Sequence, residues 1–282
     1  MHHHPTLTGA LFLAFALASS PSCGGDKPAA PPAAPVLKPL PAVRIEPQEK
    51  VEPVAPAPAP QPSGKRFEPK VEPKAPPGVV RGFVRYAGTP PPPETVATDK
   101  DPACAVHGPK VKPGLAVDAS GGIAGVFVEI EGGKGSRFAT ANAEATVDQK
   151  GCEFIPHLTV IPPDGKVRFL NSDPTPHNVH LFAVKNTVSN QDSPPGGEQV
   201  LSFPYPERIA VICDRHPWMS AKVIVTANPY HALSGPDGSF SIDGLEPGSY
   251  TIYLWQETLG AKRFEISLAP EHGAEVEVLW SK

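Results

Sequence analysis

The sequence predicts an all-β protein: two small β units behind a long proline-rich stretch. Apolar runs are short and alternate with polar residues, as in Val79–Tyr86, Gly165–Asn171 and Ile209–Cys213. Gly, Pro and Asp turn signals separate them, as in Gly235-Pro-Asp-Gly-Ser-Phe240. Sixteen of the 39 prolines crowd into residues 24–77, which leaves roughly 200 of the 282 residues for two domains. A net charge of −4 gives no basic field for nucleic acid. Gly-x-Ser-x-Gly, His-Glu-x-x-His and a phosphate loop are all missing, so no enzyme is expected.

Residues 1–23 read as a leader. Leu7–Ala18 has the length of a signal-peptide apolar region and is short for a bilayer span. Small residues lead to Cys23, which resembles a bacterial lipoprotein processing site, although Ser20 stands where Leu is usual. Lipidation at Cys23 would anchor the chain to a membrane; cleavage after Ala18 is the alternative. Either route exports it, to the periplasm or cell surface. Residues 24–77, with Lys-Val-Glu-Pro at 50–53 and again at 70–73, read as a disordered linker. In polyproline-II form it would reach up to about 160 Å.

Residues 78–142 and 228–282 read as two parts of one β-sandwich. Gly82–Val84, the Val-rich strand 126–130, Asp237-Gly-Ser-Phe240 and Leu245-Glu-Pro-Gly-Ser-Tyr-Thr251 resemble the carboxypeptidase regulatory-like family, a transthyretin-type fold. That resemblance implies a scaffold, with residues 143–227 inserted at an exposed loop. Related modules accompany polysaccharide lyases. Tyr253 and Trp255, on one strand face, are therefore either packing residues or a carbohydrate surface.

The inserted segment carries the chemistry. Cys213-Asp-Arg-His216-Pro-Trp-Met219 sets a thiol, an imidazole and a thioether three residues apart, and Pro176-His177-Asn-Val-His180 supplies further imidazole. Cys213 ends an apolar strand and Ala221–Thr226 resumes one, so the ligands share a hairpin-like loop. A thiolate, two imidazoles and a weak axial thioether form the donor set of a blue-copper centre, and zinc seldom recruits methionine. Residues 143–227 resemble the cupredoxins, amicyanin most, in the first-ligand motif at 176–180 and in the compact Cys-x-x-His-Pro-aromatic-Met loop. The resemblance implies a Greek-key β-barrel with one type 1 copper held by His177, Cys213, His216 and Met219. It also implies one-electron exchange with a redox donor and acceptor, through His216 at the surface with Pro217 and Trp218 bordering the docking patch. Trp218 packing inward is the other reading.

Amicyanin has proline where this chain has Arg215. Arg215 keeps a backbone N–H that can reach the Cys213 sulfur, or it is an ordinary exposed residue. Asn178 is a candidate to tie the two ligand loops together. His180, on the opposite strand face from His177, is not expected to share its ion. His157 is expected to be structural. Cys104 and Cys152 remain as an even pair in an exported chain, predicting a disulfide; a second metal site at Cys104 and His107 is the alternative. Copper handling without redox turnover competes with the electron-carrier reading.

Overall fold

The computed structural model describes residues 69–136 and 143–280. The leader, Cys23 and the linker as far as residue 68 lie outside the described residues.

The segment that holds the candidate metal ligands forms two facing sheets. One has the strand order Leu158–Ile161, Ser220–Val225, Glu207–Ile212, His177–Phe182, Ser189–Ser193; the other runs Glu198–Phe203, Gly165–Asn171, Glu144–Gln149, Phe154–Ile155. Alternation decides which side chains meet between them. Ile209, Val211 and Cys213 point inward from one sheet, and Val167 and Phe169 from the other, all buried. Two pairings are parallel, 158–161 with 220–225 and 144–149 with 165–171. The chain crosses between sheets to make them.

Before and after this segment, the chain builds a second pair of sheets. Lys70–Glu72, Ala274–Trp280, Val80–Tyr86 and Ser239–Ile242 form one; His231–Leu233, Phe127–Glu131, Gly248–Gln256 and Gly260–Leu268 form the other. Their core includes Val80, Val84, Ile130, Ile252, Val276 and Trp280. A Cβ at Gly82 would come within 1.8 Å of the Val276 carbonyl oxygen, so the parallel approach of these two strands requires glycine. The strands of the metal-bearing segment all fall between Phe127–Glu131 and His231–Leu233 in the sequence.

Two expectations change, and of the two readings of Tyr253 the packing one is met. The linker was expected to run to residue 77, but Lys70–Glu72 adds an antiparallel edge strand to Ala274–Trp280 and Ala75 is buried. An open sheet edge offers main-chain partners to a passing segment of almost any composition. Residues 95–111, assigned to the sandwich, lie partly on the metal-bearing unit: Cys104 is buried in its core and Val96 packs against it. Tyr253 does not face solvent. It is buried with Phe127 and Ile224, Trp255 packs beside them, and Arg208 of the metal-bearing sheet donates to Tyr253 Oη at 2.8 Å. The aromatic face is the seam between the two units.

Candidate metal centre

The loop from Cys213 to Met219 is a tight connection between two paired strands. Ile212 stands opposite Ser220, the Cys213 N–H donates to the Met219 carbonyl, and the Met219 N–H donates to the His216 carbonyl. These two main-chain bonds fix the spacing at which Cys213, His216 and Met219 turn inward, and all three are buried. His177 begins the neighbouring strand and is fully buried.

Three donor atoms converge. His177 Nδ1 and His216 Nδ1 lie 2.8 Å apart, and Cys213 Sγ lies 4.0 Å from the first and 3.6 Å from the second. Asn171 organises the loop that brings His177 in. Its Nδ2 donates to the carbonyls of Thr175 and Ser193, and its Oδ1 accepts from the Asp173 N–H. Asn178 joins this strand to the Cys213 loop: its Oδ1 accepts from the Asp214 N–H at 2.7 Å and its Nδ2 donates to Asp214 and Asn190. His180 turns to the other face and meets the Asp214 carboxylate. His157 is structural, bridging the Ser220 carbonyl and Glu257.

Burial and backbone N–H groups act on the sulfur in opposite directions, and burial prevails. Burial pushes the Cys213 thiol up in pKa, while backbone N–H groups of Asn178, His216 and Arg215 hydrogen-bond the sulfur and oppose that rise. The Arg215 side chain itself lies exposed against Asp192. Burial also pushes His177 down, toward the neutral ring that a metal requires.

Two carboxylates went unnoticed in the sequence. Asp173 Oδ2 meets His177 Nε2 at 2.9 Å, and Asp101 Oδ2 meets His216 Nε2 at 3.0 Å. Burial acts to raise Asp101, but bonds from Thr175, His216 and the N–H groups of Ala103 and Cys104 outweigh it and hold its pKa at about 2. Asp173 is four residues before His177, a local signal that was there to be weighed. Asp101 is 115 residues from His216 and gave none.

Asp101 also corrects the expected electron port. His216 is only 4% exposed, beneath Asp101. The reason is the Cys104–Cys152 disulfide, which pins the short helix Pro102–Ala105 and its N-cap Asp101 over the ring. The same bridge removes Cys104 as a ligand beside His107. Trp218 is buried, its Nε1 donating to the Cys152 carbonyl, so it does not border an open docking patch; Pro217 is exposed.

The donor chemistry fits a soft cation. With each Nε2–H given to a carboxylate, each Nδ1 presents a lone pair, and both face the sulfur. Two imidazole nitrogens and a thiolate, with a buried methionine in the same loop, suit copper better than magnesium or calcium.

No protein-family model matches the chain, and no curated protein matches it. Among solved structures it is similar to a purple cupredoxin from Nitrosopumilus maritimus, at 22% identity over 29% of this chain and 99% of that one, with a TM-score of 0.26. Amicyanin from Paracoccus versutus is similar at 20% identity over 35% of this chain and 97% of that one, TM-score 0.27. These neighbours are cupredoxins. A copper-containing nitrite reductase from Thermus scotoductus is similar at 22% identity over 32% of this chain, TM-score 0.27, and the match spans 25% of its own length.

Proposed function

We propose that this protein is an exported type 1 copper protein that carries single electrons between a donor and an acceptor protein, and is not an enzyme. The supporting observation is the buried convergence of His177 Nδ1, His216 Nδ1 and Cys213 Sγ. Met219, buried in the same loop, would supply a thioether beside these three. Copper bound there would supply a one-electron couple between Cu(II) and Cu(I). The chain's own residues hold the ligands in a closed core, so that little rearranges between the two states. In this reading Cys23 anchors the chain, the proline-rich stretch extends its reach, and the surrounding sandwich is a scaffold of the regulatory-like kind. Copper-loaded protein should show intense visible absorption from the sulfur–copper bond, and Cys213→Ser should abolish it. Retention of that colour in the variant would defeat the assignment.

The cover over His216 favours a second reading, in which the protein retains or delivers copper without turnover. Slow metal exchange with fast electron self-exchange supports the carrier; the reverse supports copper handling.

A further inference from the structure

We propose that Asp101 and Asp173 are positioning residues of the metal centre: each carboxylate fixes one imidazole with Nε2–H toward itself and Nδ1 toward the metal, and their two negative charges hold the reduction potential low. The proposal rests on the copper reading above and extends it to residues outside the donor set.

The geometry is matched at both rings. Each Nε2 has a carboxylate oxygen at 2.9 or 3.0 Å, and each Nδ1 faces the sulfur. Neither carboxylate is free to swing. Asp173 is buried and accepts the N–H groups of Gly151 and Cys152 at 2.6 and 2.7 Å. Asp101 accepts Thr175 Oγ1 at 2.7 Å and the Ala103 N–H at 2.8 Å. The disulfide braces both at once. Cys104 lies in the helix capped by Asp101, and Cys152 gives its own N–H to Asp173.

The electrostatic consequence follows from sign. A carboxylate behind a ligating imidazole makes the ring a better donor and stabilises the more positive oxidation state. Two of them, added to one thiolate, favour Cu(II) over Cu(I), and the burial of Asp173 keeps solvent from screening its share. They oppose the N–H groups on the Cys213 sulfur, which favour Cu(I).

Asp101→Asn and Asp173→Asn test this, since each keeps an acceptor oxygen and removes the charge. Voltammetry of the copper-loaded full chain should show a higher potential for each variant, with the visible absorption kept. The Asp→Ala variants should in addition weaken Cu(II) binding about 10- to 100-fold. In copper-free protein, nitrogen NMR of the rings should find Nε2 protonated on both histidines. Asp101→Ala should release His216 alone, and Asp173→Ala His177 alone. An unchanged or lowered potential, or tautomers indifferent to these changes, overturns the proposal. Failure to bind copper at all would instead sink the function proposed above, while the tautomer result still decides the positioning roles.

Discussion

Replacing Cys104 and Cys152 together with alanine should destabilise the protein by about 4 kcal/mol. The bridge closes a loop of 48 residues, and cross-linking a loop of that length removes about 14 cal/mol/K from the unfolded chain. At 25 °C this is about 4 kcal/mol, and in a folded unit of roughly 200 residues each kcal/mol moves the Tm by about 2–4 °C, so a fall of about 8–16 °C is expected. Both cysteines are buried, so the loss of two sulfurs adds to the effect. The loop contains the sandwich strand Phe127–Glu131 and the metal-side strand Glu144–Gln149, which places both units under the same constraint. Urea unfolding followed by tryptophan fluorescence, with calorimetry alongside, measures the change. Thiol titration of the unvaried copper-free protein should find Cys213, and Cys23 if it is unmodified, and no others. A loss below about 1 kcal/mol would refute the entropic reasoning for this bridge.

Asn178→Ala removes two hydrogen bonds to the Cys213 loop and one to Asn190, and leaves the Asp214 N–H unmet. A loss of about 2–3 kcal/mol is expected in chemical denaturation; a change under about 0.5 kcal/mol would deny Asn178 its tying role. Glu207 accepts the N–H groups of Val184, Lys185 and Asn186. Burial works against its charge, but these bonds and the Asn186 side chain prevail, so its pKa lies below the ordinary glutamate value of 4.5. Its contribution is therefore present above pH 4.5 and is lost as pH falls through the lower folded value. Glu207→Gln should flatten that part of the stability–pH curve, and an unaltered acid limb contradicts this. Arg215→Pro deletes one N–H on the Cys213 sulfur and should lower the reduction potential; voltammetry showing no fall rejects it. Arg208→Ala breaks the bond to Tyr253 across the seam and should cost about 1–2 kcal/mol, measurable by thermal unfolding.

The sequence made local features legible and left distant ones hidden. Gly165–Asn171 and Glu207–Ile212 were readable because a period of two marks their inward faces. The spacing of Cys213, His216 and Met219 was readable because one short loop positions all three. Asp101 escaped notice because a disulfide, not the neighbouring sequence, delivers it to His216. Lys70–Glu72 looked like linker because an edge strand is recruited through main-chain groups, which every residue but proline carries in full. Alternation around Tyr253 marked a buried or aromatic face, but not which neighbour would cover it.

The interruption of the sandwich by the metal-bearing segment has a temporal consequence. Strand Val80–Tyr86 is made before the candidate metal centre, and its parallel partner Ala274–Trp280 after it. Every residue from Asp101 to Met219 precedes that partner in the chain. All the residues of the copper cradle are thus present while its supporting sandwich still lacks a wall.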